Sequence, residues 1–397
     1  MKKIILVLAL FAISIPINAQ DGSMENLQTI IDEIKLEYAP DKRVALFDIS
    51  YKNNDSGFIL AGETTELLAK DELLKKLELA KISVQDSIKL LPDAELKDKV
   101  YGIIYNSVAN LRATPTHSAE LVTQAILGTP VRVLKQEDGF YLIQTPDKYI
   151  AWVDDGLERM TKAEYISWYN ADKIIYTKEY GFSYSEPDEK SERVSDLVLA
   201  NIIEKIGEQG KFTKVKYPNG VEAFVLTSET ADYKTWLENA YPTKENIVET
   251  AKLFKGNPYM WGGTSAKALD CSGFTKTVFF QHGVILDRDA SQQVHKGILV
   301  DTENGFDKLE TGDLLFFGRK ARDGKREKVT HVGIYLKDNE YIHEAGQVKY
   351  NSFNKSASNF SEHRLNGFIR ARRIITSVGE NGIELVKDNK FYNGELK

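Results

Sequence analysis

Between residues 24 and 37 apolar side chains recur at helical spacing, with Leu27, Ile30, Ile31 and Ile34 on one face, which predicts an amphipathic helix. RVALFDISYKN then alternates as a strand does, NNDSG reads as a turn, and FILAGE as a second strand. TTELLAKDELLKKLELA returns to a helical period behind a cap expected at Thr64 or Thr65, completing a small α+β module in residues 20–98. From Val100 to Met160 the pattern changes to short, closely spaced strands between polar turns, the signature of a small barrel. A second all-β stretch runs from Lys173 to Leu226, and TSETADYKTWLENA (227–240) reads as a connecting helix. Pro242 and Thr243 start a new helix that Gly256 closes, and residues 241–375 read as one α+β domain. Residues 376–397 are polar and are expected at the periphery.

The N-terminus adds an address. Lys2 and Lys3 precede an apolar run from Ile4 to Ile17, followed by Asn18-Ala19, which is the pattern of a secretory signal peptide over residues 1–19. The run is shorter than the roughly 20 residues that a bilayer span needs, so no stable membrane anchor is expected. The reading is an exported protein, periplasmic or secreted. Loss of Lys2 and Lys3 would take the formal charge from −6 to −8, and no basic stripe marks a nucleic-acid partner.

Export sharpens the meaning of the single cysteine, Cys271, which cannot form an internal disulfide. A lone thiol is more often a buried small hydrophobe than a reagent. The local sequence argues otherwise. In NPYMWGGTSAKALDCSGFTKTVFFQHG, Asp270 stands where an N-cap belongs and Cys271 at the first helical position, with Phe274, Val278 and Phe279 as the buried face. The positive end of the helix favours thiolate, while Asp270 opposes it. In VTHVGIYLKDNEYIHEAG, His331 lies on the less apolar face of one strand and His343 on the next. An odd-numbered loop at Lys337-Asp338-Asn339 would put both on one face, whereas a two-residue loop would separate them. The pattern thus suggests Cys271 as nucleophile, His331 as base and His343 as its orienting partner. One Cys and two His without a carboxylate at ligand spacing match zinc sets poorly, and no metal or cofactor is expected.

These segments carry a resemblance. YMWGG…DCSGF, RDASQQ, GDLLFF and THVGIYL…YIHEAG resemble the NlpC-type cell-wall peptidases, papain-like cysteine enzymes that cut murein stem peptides. LGTPVRVLKQEDGFYLIQTPDKYIAWV resembles a bacterial SH3-like domain through Gly128-Thr129, Gly139, Tyr141 and Trp152-Val153, and residues 161–240 read as a divergent second copy with a linker helix. The implied fold class is multidomain α+β: a papain-like peptidase domain (241–375) preceded by two SH3-like barrels (99–160, 161–240) and an N-terminal α+β module. The combination is similar to γ-D-glutamyl-L-diamino acid endopeptidases acting on stem peptides with a free N-terminal L-Ala.

The resemblance implies further roles. Cys271, His331 and His343 match the catalytic triad, and Tyr259 matches an oxyanion partner. Asp270, Ser272 and Ser291 match residues lining a pocket for the terminal L-alanine, and Glu120 and Tyr149 are the first barrel's candidates for closing it. Arg288 could meet a substrate carboxylate or pair with Asp287 or Asp289. Asp287 departs from the proline that the family often has there. Trp261, Phe279 and Phe280 are expected in the core, and His282, His295, His117 and His363 at the surface or in packing. The expected substrates are murein stem peptides within peptidoglycan. The alternatives are a non-catalytic peptidoglycan-binding protein and a same-fold murein amidase.

Overall fold

The computed structural model describes residues 19–54, 57–322 and 324–396. The expected signal peptide, apart from Ala19, lies outside the described residues. No helix among the described residues is long and apolar enough to cross a membrane, which says nothing of spanning β-barrels.

The chain divides into two compact units, residues 1–90 and 91–397. In the first, α1 (Ala19–Tyr38) buries Leu27, Ile30, Ile31 and Ile34 as its spacing requires. They pack with α2 (Leu67–Leu79) and a sheet of β1 (Phe47–Asn54), β2 (Gly57–Thr64) and β3 (Val84–Leu90). Neither threonine caps α2: its N-cap is Glu66, and Thr64 Oγ1 instead accepts the Glu66 N–H. Strand β3 pairs in parallel with β2 at the sheet edge and buries Ile88 alone, so it has no alternation for a sequence reading to find.

The second unit begins at Leu91 rather than after residue 98. Asp93 N–H donates to Leu134, and Leu96 is buried in the first barrel's core. That barrel is built from β4 (Tyr101–Ile104), β5 (Val108–Arg112), β6 (Leu121–Ile126), β7 (Pro130–Glu137), β8 (Phe140–Gln144), β9 (Ile150–Val153) and β10 (Leu157–Met160). After α3 (Lys162–Asn170) come β11 (Lys173–Tyr176), β12 (Tyr180–Tyr184), β13 (Arg193–Val198), β14 (Ile202–Gln209), β15 (Phe212–Lys216), β16 (Glu222–Leu226) and β17 (Thr230–Asp232). The first sheet runs β10-β4-β7-β8-β9-β5-β6 and the second β17-β11-β14-β15-β16-β12-β13, which is the same order strand for strand. The register irregularities correspond too, between Leu111 and Arg112 and between Ser183 and Tyr184. Strand β17 takes the start of the expected linker helix, leaving α4 as Tyr233–Asn239.

In the last domain α5 (Lys244–Leu253), capped by Thr243, precedes a β18 (Thr264–Ser265) and β19 (Ala268–Leu269) hairpin and α6 (Cys271–Phe280). Then come β20 (Val284–Ile285), α7 (Ala290–Gln293), β21 (Ile298–Val300), β22 (Leu314–Arg319), β23 (Lys328–Lys337), β24 (Glu340–Glu344), β25 (Val348–Ser352), α8 (Glu362–Gly367), β26 (Phe368–Arg373) and β27 (Glu384–Leu385). The six-stranded sheet runs β21-β26-β22-β23-β24-β25. One face buries Val332, Ile334 and Ile342 against Phe274, Val278 and Phe279 of α6. Each such side chain contributes roughly 1.5–3 kcal/mol, so α6 and its first residue are firmly held. The opposite face carries Phe317, Tyr335, Tyr341, Phe353 and Phe368.

The C-terminal segment is not peripheral. Its few apolar residues, among them Val386, Phe391, Tyr392 and Leu396, are buried with Tyr101, Tyr165 and Trp168 of the first barrel and α3. β27 pairs with β20, and the Tyr165 hydroxyl donates to the Phe391 carbonyl at 2.5 Å.

Candidate active site

Cys271 is the first residue of α6, and the Asp270 carboxylate caps the helix by accepting the Gly273 N–H at 2.7 Å. A Cβ on Gly273 would fall 1.9 Å from the Gly263 carbonyl, so only glycine lets the first turn close on the preceding loop. The thiol is buried, and burial, then the Asp270 charge, pushes its pKa up to about 11. Backbone bonds from Val332 and Ser272 and the charge of Arg288 work the other way without prevailing. The helix start therefore does not make the resting cysteine a thiolate, contrary to what its position alone suggests.

Asp270 is fully engaged. Beyond Gly273 it accepts from Gly262 N–H (3.0 Å), from the Ser272 hydroxyl (3.2 Å) and from both terminal nitrogens of Arg288 (3.1 and 2.5 Å). Arg288 is 1 % exposed and also donates to Ser272 Oγ (3.0 Å) and to Thr123 Oγ1 of the first barrel (2.9 Å). Burial works against its charge, but Asp270 more than compensates and its pKa lies above the ordinary value. The Arg288 partner is Asp270, neither of the two neighbouring aspartates named for it, while Asp287 pairs with Lys296 at 3.4 Å. The Asp270 carboxylate thus holds the helix cap and the Arg288 guanidinium together.

The histidines share a face by a route that the loop count concealed. The β23–β24 connection is the two-residue turn Asp338-Asn339, both at positive φ, which alone would put them on opposite faces. A bulge between Tyr335 and Lys337 inserts one extra residue and restores the parity. His343 then lies opposite Gly333, where a Cβ would stand 2.9 Å from that of His343. The rings meet with His331 Nε2 and His343 Nδ1 at 2.7 Å. Burial, then the nearby Arg364 and His343, drives the His331 pKa well below its ordinary value. Burial takes His343 down to about 4 against the opposing hydrogen bond of Asn351. Both rings are neutral at neutral pH.

Other predicted residues take varied places. Tyr259 is 39 % exposed, and burial of its hydroxyl, then the proximity of Cys271 and Asp270, pushes its pKa up to about 12, so it keeps its proton. Glu120 accepts from the Trp261 indole N–H at 2.7 Å, and the buried Tyr149 hydroxyl lies 3.5 Å from the Asp289 carboxylate. Both barrel residues thus reach the catalytic domain. Ser291 is half-buried on α7. Trp261 is 62 % exposed rather than core, Phe279 is core, and Phe280 is half-buried against Trp236 and Tyr392.

Several residues were missed. Thr123 gave no signal, because its partner Arg288 lies far along the chain, and Asp289, named only as a possible partner of Arg288, lies instead at Tyr149 of the barrel. Asn351 bonds His343 Nε2 at 2.8 Å through Oδ1. Glu344 follows His343 in YIHEAG and is fully buried, with no hydrogen-bond partner for either oxygen among the described residues, and burial raises its pKa to about 7.

Comparison with known proteins agrees with this layout. The NlpC/P60 family matches residues 256–369, and the bacterial dipeptidyl-peptidase Sh3 domain matches residues 111–156. A crystal structure of an NlpC/P60 family protein from Bacillus cereus superposes with a TM-score of 0.59 at 24 % identity, covering 69 % of this chain and 99 % of that one. The protein is thus a cysteine-type peptidase of papain-like α+β fold carrying an SH3-like domain. A γ-D-glutamyl-L-lysine dipeptidyl-peptidase from Bacillus cereus is 30 % identical over 237 residues, covering 57 % of this chain and 68 % of the relative. A murein DD-endopeptidase/murein LD-carboxypeptidase from Escherichia coli is 33 % identical over 125 residues, covering 31 % and 61 %. The chain belongs to the NlpC/P60 family.

Proposed function

We propose that the protein hydrolyses the γ-D-glutamyl–L-diamino acid bond of murein stem peptides, preferring those with a free N-terminal L-Ala, through an acyl-enzyme on Cys271. The observation that carries this reading is the first barrel's reach over the catalytic domain, Glu120 to Trp261 and Tyr149 to Asp289. A long glycan-linked chain needs an open groove, whereas a short peptide with a charged amine suits a cleft rimmed by carboxylates. The names of the Bacillus cereus and Escherichia coli relatives support the substrate class.

In this reading His331 takes the Cys271 proton as sulfur attacks the γ-carbonyl carbon, since a neutral thiol beside a neutral imidazole needs a base at the moment of attack. The Cys271 backbone N–H and the protonated Tyr259 hydroxyl stabilise the oxyanion. Collapse breaks the C–N bond while His331 returns the proton to the departing diamino acid nitrogen. Water, deprotonated by His331, then hydrolyses the thioester and frees the thiol. Glu120 and Asp289 hold the substrate ammonium. Asp270, Ser272 and Arg288 shape the pocket floor, and Ser291 contributes to its side.

The test is mass-spectrometric product analysis with L-Ala-γ-D-Glu-diaminopimelate, its N-acetylated form and sugar-linked stem peptides. Release of L-Ala-D-Glu from the free peptide alone, lost in Cys271→Ala, is the expected result. Equal cleavage of all three would refute the amine preference, and no cleavage of any would favour a wall-binding role.

A further inference from the structure

The histidine pair poses a problem that its own geometry does not solve. Two neutral imidazoles sharing one hydrogen bond can hold its proton in either direction. If His331 Nε2 donates to His343 Nδ1, His331 keeps a lone pair on Nδ1, the nitrogen left to receive a proton from the thiol. If the bond runs the other way, His331 Nδ1 already carries a proton and the ring cannot serve as base from that side.

We infer that Asn351, resting on the reading of His331 as base, is a positioning residue that fixes the direction of this bond. The argument starts at a group with no choice. The Asn359 carbonyl can only accept, and it receives the Ser352 N–H at 3.0 Å and the Asn351 side-chain amide N–H at 2.7 Å. That assigns nitrogen to one end of the Asn351 carboxamide and turns its oxygen to His343 Nε2, 2.8 Å away. The oxygen only accepts, so His343 Nε2 carries the hydrogen. A neutral His343 then presents a bare Nδ1, His331 Nε2 must donate to it across 2.7 Å, and His331 Nδ1 is left with its lone pair.

The arrangement is a chain of four links: a backbone carbonyl from the turn after β25, an amide, and two imidazoles. Each link has one orientation once the previous one is set. Asn359 is itself anchored by its side-chain N–H on Glu340 at 2.9 Å, on the same strand as His343. An apolar residue at position 351 would leave the pair free to reverse.

The test is ¹⁵N NMR of the full chain labelled at histidine, with the six histidines assigned by single substitutions. The expected wild-type pattern is Nε2–H with unprotonated Nδ1 on both His331 and His343. Asn351→Ala should mix the tautomers of both rings and lower kcat by about a hundredfold or more with KM little changed, as misplaced imidazole tautomers do elsewhere. Asn351→Asp keeps an acceptor for His343 Nε2 while losing the donor to the Asn359 carbonyl, so it should hold the wild-type tautomers where Asn351→Ala does not, and a dispersed, folded spectrum of each variant guards against reading a folding defect as loss of position. A wild-type His331 protonated on Nδ1, or unaltered tautomers in a folded Asn351→Ala protein, would overturn the inference. If the tautomers mix in Asn351→Ala and kcat is unaffected, the role of Asn351 in the pair stands and the assignment of His331 as base falls.

Discussion

Where the first barrel carries Thr123 the second carries Ser195, and Gln124 corresponds to Asp196, because Leu111 and Ser183 pair with the first two and Asn110 and Phe182 with the next. Thr123 completes the shell of Arg288, and Gln124 accepts the Thr264 N–H at 3.1 Å. In the second barrel Ser195 turns to the Asp196 carbonyl, and Asp196 pairs with Lys267 at 2.6 Å and accepts from Ser107 of the first barrel. Even the rim glutamate has a counterpart. Glu120 and Glu192 each accept the same turn bond, from Ala113 and Ser185 respectively, yet only Glu120 lies at an indole of the catalytic domain. Tyr149 corresponds to Val221, and Asp147 to Asn219. One strand order therefore serves two purposes, and a few side chains at matched positions decide which barrel touches the site.

The comparison can be broken most severely at its centre. Arg288→Leu leaves Asp270 charged, buried and unpaired, and should cost about 3–5 kcal/mol in urea unfolding together with activity. Glu120→Gln should lower kcat/KM for the free-amine tripeptide by about tenfold to a hundredfold, as expected for a lost charged hydrogen bond. Glu192→Gln should leave it unchanged in the same assay; equal losses would erase the distinction between the barrels.

Asp147 supplies a pH-dependent version. It is buried and pairs with Lys276 of α6 at 2.7 Å. Burial works to raise its pKa, but the Lys276 charge and hydrogen bonds prevail and the value lies below the ordinary one. A depressed folded pKa stabilises above the unfolded value and is lost as pH falls through the folded one. Asp147→Asn, which installs the second barrel's residue, should therefore cost about 1–3 kcal/mol at pH 7. Thermal melts should show that difference shrinking once pH drops below about 3.9, the ordinary carboxylate value. The smallest effects are expected on the strand itself. Thr123→Val removes one acceptor from Arg288 and should cost about 1 kcal/mol, whereas Ser195→Ala should stay within about 0.5 kcal/mol.

Local chemistry was legible in the sequence, and long-range chemistry was not. Asp270 as cap, Cys271 as first helical residue and the buried face of α6 follow from spacing within one turn. The shared face of His331 and His343 was reached by assuming an odd loop, whereas the strand uses an even turn and a bulge, two departures that cancel. The partners of Arg288 were hidden because Thr123 lies 165 residues away and is an ordinary strand threonine. Trp261 looked like core because apolar size predicts burial, whereas its indole N–H goes to Glu120 on the first barrel, a partner 141 residues away. The burial of the tail rests on a handful of aromatics diluted among polar neighbours, which a compositional reading averages away.

The bond from Arg288 to Thr123 bears on how such enzymes can be cut and recombined. The charge balance of the cap in front of Cys271 is finished by a hydroxyl from a different domain, so the boundary near residue 241 is a seam in topology but not in chemistry. A catalytic domain grafted alone onto another targeting module would carry a guanidinium with one donor stranded, on the carboxylate that caps the helix of its nucleophile. Transplants that keep strands β5 and β6 with the peptidase domain carry the whole unit, and the second barrel is the piece more readily exchanged.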